Sequence, residues 1–108
     1  MIAQQLSVDH VTVAGRDLKA IESALAAATG ITAEYGGPHS NHATEMSLVS
    51  FPDGSYLELI AIQTKADPAA LAAHEWHKFL EADAGPCSWA VRPSDIAREA
   101  ERLRAAAV

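Results

Sequence analysis

The apolar residues in the first third of the chain change from a strand-like to a helix-like pattern. Residues 6–13 are rich in β-branched and apolar side chains and end before Gly15, which predicts a strand. Asp17 follows as a residue that can cap a helix, and Gly30 is a typical stop. Between them the apolar residues recur at helical spacing, at Leu18, Ile21, Leu25 and Ala28. We therefore expect the fold to begin with a strand and a helix.

The middle of the chain alternates short apolar runs with turn residues. Residues 31–35 predict a second strand, which the Gly-Gly-Pro sequence at 36–38 would end. Residues 43–51 and 55–62 predict two further strands. Because Pro-Asp-Gly at 52–54 supplies the backbone angles of a tight turn, these two strands should form a hairpin.

The last third predicts a helix, a strand and a second helix. The Ala-rich residues 67–82 begin with Asp-Pro, a cap followed by a first helical residue, and predict one helix. Residues 87–91 predict a strand, and Ser94 or Asp95 can cap a final helix. The apolar stripe of this final helix consists of Ile96, Ala100, Leu103 and Ala107.

The strand and helix at the start of the chain recur near its end. A shift of 78 positions without gaps aligns Val13 with Val91, Asp17 with Asp95, Leu18 with Ile96, and Leu25 with Leu103. We therefore predict a first β-α-β-β-β module at residues 1–65, a helical linker at 66–86, and the β-α start of a second module at 87–108. Together they would form one compact domain.

Composition and charge narrow the classes of function. The chain has 108 residues, 49% hydrophobic and 20% charged, which is the balance of a single globular domain. Its 14 Asp and Glu against 8 Lys and Arg give a formal charge of −6, so we expect no nucleic-acid partner. The single cysteine, Cys87, excludes an internal disulfide and favours a reducing compartment. With no signal-like start and no apolar run of about 20 residues, we expect a cytoplasmic protein without a membrane span.

Several short motifs, in this order, resemble a known family. They are DHVTV at 9–13, RDL at 16–18, GGPHSNH at 36–42, GSYLELIA at 54–61, and WAVRPSDI at 89–96. This set is similar to the glyoxalase-like domain of the vicinal-oxygen-chelate superfamily and covers essentially the whole chain. The resemblance implies an α+β fold in which a mixed sheet curves into a cup, with helices on the outer face.

The resemblance also implies a site. Two modules of this superfamily pair around a divalent metal ion (Fe, Ni, Mn or Zn), and its usual ligands lie on a module's first and fourth strands. Those positions match His10 and Glu58, and Glu58 would also exchange protons as the catalytic residue. His42, where a loop enters the third strand, is the candidate for a third ligand or for holding an anionic substrate. His39 and Arg92 are the candidates for binding an anionic substrate.

The chain departs from the family pattern in its second module. The position equivalent to His10 is Ser88, a poor metal ligand, and the strand that could supply a second carboxylate would follow Val108. We therefore expect either the N-terminal part of a longer enzyme or a homodimer, with exchange of the last strand and helix as a variant.

Three functions remain open from the sequence. The first is a metal-dependent lyase, isomerase or dioxygenase that acts on a small molecule. The second is a metal-free small-molecule-binding module of the bleomycin-resistance type. The third is a module whose folded role is only to pair with another.

Overall fold

The computed structural model describes residues 5–107, which form a mixed five-stranded sheet and four helices. The sheet order is β2-β3-β4-β1-β5, with β1 parallel to β4 and every other neighbouring pair antiparallel. The sheet is open, consistent with the curved cup of the expected α+β fold. The elements are β1 Leu6–Gly15, α1 Leu18–Thr29, β2 Glu34–Pro38, β3 Thr44–Ser50, β4 Tyr56–Ile62, α2 Pro68–Ala73, α3 His77–Glu81, β5 Gly85–Pro93 and α4 Ile96–Ala105.

The register of β1 and β4 decides which side chains share a face. His10 lies opposite Tyr56, and Thr12 lies opposite Glu58. Because side chains alternate along a strand, these four residues and Ile60 project from the same side of the sheet. We call this side the cup face.

Helix α1 covers the opposite, outer face. The carboxylate of Asp17 accepts hydrogen bonds from the backbone N–H groups of Lys19 and Ala20, as predicted for a cap. Gly30 ends the helix with a φ of 73°, a left-handed conformation that suits glycine. On the sheet side the helix buries Leu18 in a cluster with Leu59 and Ala61.

The predicted single helix over residues 67–82 is wrong, because the segment forms two short helices, α2 and α3. The break follows from a local side-chain bond: Nδ1 of His74 accepts the backbone N–H of Trp76 at 3.0 Å, which withdraws that donor from the helical pattern. Leu80 of α3 is buried with Ala14 and Ile60. The linker helices therefore lie over one end of the cup face, whereas α1 lies on the outer face.

The second strand is also displaced from its predicted position. It runs over Glu34–Pro38, so the Gly-Gly-Pro sequence expected to end a strand belongs to it. The pairing with β3 shifts register between Tyr35 and Gly37, and Gly37 has a φ of 105°. Glycine allows the irregularity, and proline is tolerated because β2 is an edge strand.

The final strand and helix form as predicted but stay largely uncovered. Asp95 caps α4, and its carboxylate accepts the backbone N–H of Arg98 at 3.1 Å. Trp89 of β5 is 67% exposed, and Ile96 of α4 is 76% exposed. The radius of gyration is 16.0 Å, against about 13 Å for a compact domain of 100 residues.

No helix formed by residues 5–107 is long and apolar enough to cross a membrane.

Candidate functional site

Glu58 lies on the cup face and is held by two long contacts. Its side chain is 17% exposed. The hydroxyl of the buried Thr12 donates to Oε1 at 3.5 Å, and Nε2 of His39 lies 3.9 Å from Oε2. A carboxylate has about four acceptor positions, so these contacts leave it able to accept a proton, a donor or a cation.

His39 reaches Glu58 because its loop is held in place at several points. Its backbone N–H donates to the carbonyl of Thr44 at 2.8 Å, and the amide of Gln63 donates to the His39 carbonyl at 3.1 Å. Nδ1 of the ring lies 2.7 Å from the hydroxyl of the buried Thr44. When that hydroxyl donates to Nδ1, the ring proton is on Nε2, the nitrogen nearest Glu58.

His42 lies in the same loop but has a different environment. Its side chain is exposed, its φ is 60°, and its carbonyl accepts the backbone N–H of Asp67 at 2.8 Å. The structure therefore brings His39, rather than His42, into contact with Glu58. A ligand role for His42 stays a prediction.

The ring of His10 is fixed from two directions. Nδ1 lies 2.8 Å from Oδ2 of Asp9, and the ring stacks on Tyr56 with centroids 4.7 Å apart and an interplanar angle of 15°. The His10 hydrogen bond, followed by that of Arg92, holds the pKa of Asp9 below its usual value. Burial, and then the charges of Asp9 and Glu58, raise the pKa of Tyr56. His10 is therefore half-buried and oriented on the cup face.

Arg92, predicted to bind substrate, donates from Nη2 to Oδ1 of Asp9. Its guanidinium is thus engaged within the protein, and substrate binding by it stays a prediction. Sequence reasoning missed Asp9 and Tyr56 as members of the site. The signal for Asp9 was its position directly before His10, but strand alternation placed the two side chains on opposite faces.

A sequence profile of the glyoxalase-like domain matches residues 8–108. The chain belongs to this family, within the vicinal-oxygen-chelate superfamily. No curated protein and no solved structure matches it.

The residues of this glyoxalase-like chain fit a divalent metal ion by donor type but not by number. Imidazole nitrogen and carboxylate oxygen are ligands that zinc, iron, nickel and manganese accept. Among the described residues, however, no group of three or more His, Cys, Asp and Glu side chains is gathered so that it could hold a metal ion. His10 and Glu58 would therefore need further donors.

Cys87 borders the site and packs against the cluster of Ala14, Ile60 and Leu80. Burial and then the charge of Glu58 raise the pKa of its thiol. A raised pKa keeps the sulfur protonated, which suits packing rather than nucleophilic attack.

Proposed function

We propose that this glyoxalase-like protein binds a divalent metal ion through His10 and Glu58 and acts as a lyase, isomerase or dioxygenase on a small molecule. The observation that carries the proposal is the orientation of His10. Asp9 occupies Nδ1, and among residues 5–107 no side chain or backbone group is hydrogen-bonded to Nε2, on the cup face that also carries Glu58. A hydrogen bond from the second ring nitrogen to a carboxylate is the usual arrangement of a histidine that binds a metal.

The residues around Glu58 suit proton transfer at its carboxylate. When bound, the metal ion would act as a Lewis acid on a carbonyl or enolate oxygen of the substrate. Glu58 is the base, because its carboxylate is half-buried and only weakly hydrogen-bonded. His39 is held with Nε2 toward Glu58, where it can donate to the carboxylate or to an anionic substrate.

The test is metal stoichiometry by elemental analysis after separate loading with iron, nickel, manganese and zinc. We expect near-stoichiometric metal in the parent protein and none in the double variant His10→Ala, Glu58→Ala. The double variant Glu75→Ala, His77→Ala, in the linker, is the control, because it also removes one carboxylate and one imidazole. Equal metal content in the site variant and the parent would contradict the proposal.

Two single variants identify the third donor. Because His39 contacts Glu58 and His42 does not, we expect His39→Ala to weaken metal binding and His42→Ala to leave it unchanged. The reverse result would assign the third position to His42, as the sequence predicted.

A second candidate is a metal-free module that binds a small aromatic molecule. The stacked rings of His10 and Tyr56 favour it, because they present flat aromatic surface on the cup face. Under this alternative neither the parent nor the His10 and Glu58 variant holds metal. The parent would then bind an aromatic dye such as anilinonaphthalene sulfonate. Glu58→Ala would retain that binding, and His10→Ala or Tyr56→Ala would weaken it.

We further propose that the protein is a homodimer in which β5 and α4 meet a second copy of the chain. Within residues 5–107, no strand lies on the outer edge of β5, and Trp89 and Ile96 beside it are largely exposed. Open edges and apolar patches of this kind are commonly covered by association.

Light scattering at micromolar concentration tests the dimer. We expect twice the mass of one chain for the parent and the mass of one chain for Trp89→Lys. A monomeric parent would contradict the dimer, whether formed by side-by-side docking or by exchange of the last strand and helix.

We also place the protein in the cytoplasm, because its single thiol, at Cys87, is free. Cell fractionation that recovered the protein outside the cytoplasm would contradict this.

A further inference from the structure

Asp9 and His10 are consecutive residues of β1 whose side chains nevertheless meet. In a regular strand, neighbouring side chains point to opposite faces. Here Val8 pairs with Val91, and His10 pairs with the very next residue toward the N-terminus of β5, Ala90. Asp9 is therefore the extra residue of a β-bulge. The bulge explains how the Asp9 carboxylate lies 2.8 Å from the ring of His10.

The second oxygen of Asp9 is held by β5. Oδ1 accepts from Nη2 of Arg92, while the carbonyl of Arg92 accepts the hydroxyl of Ser7 at 3.3 Å. The guanidinium also lies beside the turn between β3 and β4. If Gly54 in that turn carried a side chain, its Cβ atom would lie 3.8 Å from Nη1 of Arg92. Arg92 thus fixes the carboxylate between two strands and a turn.

This arrangement determines which nitrogen of His10 carries the proton. An ionised carboxylate can only accept hydrogen bonds, so the contact with Nδ1 requires a proton on Nδ1. In the neutral ring, Nε2 then keeps its lone pair. The stacked ring of Tyr56 limits rotation that would exchange the two nitrogens.

We propose that Asp9, anchored by Arg92, is a positioning residue that keeps His10 in the Nδ1-protonated form and Nε2 available as a ligand on the cup face. The availability of Nε2 to a metal rests on the proposed function. The tautomer itself is a property of the metal-free protein and can be measured separately.

The tautomer is read from the nitrogen chemical shifts of histidine-labelled, metal-free protein, at a pH above the ordinary range of imidazole titration. His10→Gln assigns the signals. We expect a protonated Nδ1 and an unprotonated Nε2 for His10 in the parent, and a mixture of tautomers in Asp9→Ala. Arg92→Gln should give a smaller change of the same kind.

Asp83→Ala is the matched control, because Asp83 also pairs with an arginine, Arg16, at the far end of β1. It should leave the His10 signals unchanged. Asp9→Asn serves as a second variant if Asp9→Ala fails to fold. Its single acceptor oxygen would be used by Arg92, which can only donate, so its NH2 group would face Nδ1 of His10. We expect Asp9→Asn to shift the His10 proton from Nδ1 to Nε2, and an unchanged tautomer in this variant would also contradict the positioning role.

Zinc affinity by titration calorimetry supplies the second measurement. We expect Asp9→Ala to bind zinc about 10–100-fold more weakly than the parent, and Asp83→Ala to match the parent. A protonated Nε2 in the parent, or an unchanged tautomer in Asp9→Ala, would overturn the positioning role. A changed tautomer with no zinc bound by any protein would support that role and refute the proposed metal site.

Discussion

Two units of the chain, β1 with α1 and β5 with α4, have similar sequences but differ in burial. In both, an aspartate caps a helix after a strand, Asp17 in the first unit and Asp95 in the second. Leu18, at the start of α1, is 6% exposed, whereas the aligned Ile96 of α4 is 76% exposed. The local signals therefore form the same elements in both places without producing the same core.

The difference comes from the neighbouring strands. β1 lies between β4 and β5, and Leu59 and Ala61 of β4 provide the surface on which α1 packs. β5 has β1 on one side, and within residues 5–107 its other side has no neighbour. An amphipathic helix gains most of its stability from packing its apolar face, so α4 lacks what stabilises α1.

Leu59→Ala tests the packed unit and should have the largest effect. Leu59 is 1% exposed and lies between α1 and the sheet. Removing a buried leucine side chain leaves a cavity, so we expect the free energy of unfolding to fall by about 2–5 kcal/mol. Urea denaturation followed by circular dichroism measures this. If the free energy of unfolding falls no more than it does when an exposed leucine is replaced by alanine, α1 does not pack as described.

Replacing the two caps compares the units directly. Asp17→Ala should lower the free energy of unfolding by roughly 1 kcal/mol, because its carboxylate satisfies two backbone N–H groups of a helix joined to the core. Asp95→Ala should reduce helical content with little effect on global unfolding. An equal decrease in the free energy of unfolding in the two variants would mean that α4 unfolds together with the core.

Ile96→Ala examines the exposed unit. At concentrations where the chain is monomeric, we expect a change in unfolding free energy within about 0.5 kcal/mol, as for other exposed positions. Hydrogen exchange should also be faster in the amides of α4 than in those of α1. If Ile96→Ala lowers the free energy of unfolding only at high protein concentration, α4 is covered in the dimer.

The Arg16–Asp83 pair is present only in the first unit, because Ser94 occupies the position aligned with Arg16. The backbone N–H of Arg16, followed by its side chain, lowers the pKa of Asp83 from 3.8. The pair therefore stabilises the fold above pH 3.8, and this stability is lost as the pH falls from 3.8 through the lower pKa of the folded state.

Asp83→Asn should accordingly be slightly less stable than the parent near neutral pH, because the pair is exposed. The difference should shrink below pH 3.8. Urea denaturation across this pH range measures it, and a difference that grows in acid would contradict the assignment.

Much of the site could be predicted from the sequence, and the exceptions have physical causes. The shared face of Glu58 and Tyr56 follows from strand alternation in a run with a clear register. Asp9 was missed because a bulge overrides that alternation. The contact of His39 with Glu58 could not be predicted, because it depends on the bonds of the loop to Thr44 and Gln63.

The errors in the fold have similar causes. The linker helix was predicted from its composition, but the ring of His74 takes a backbone N–H that a continuous helix would use. The second strand was expected to end at its glycines, yet a paired edge strand can include them at a bulge.

The sequence by itself determined the order of the strands, the helix caps Asp17 and Asp67, and the family, because each depends on residues close together in the chain. Only the tertiary structure decided which strand lies beside which, how Asp9 reaches His10, and why α1 is buried while α4 is exposed. These outcomes depend on contacts between residues far apart in sequence, such as Asp9 with Arg92 and Leu18 with Leu59. Local propensity carries no information about such contacts.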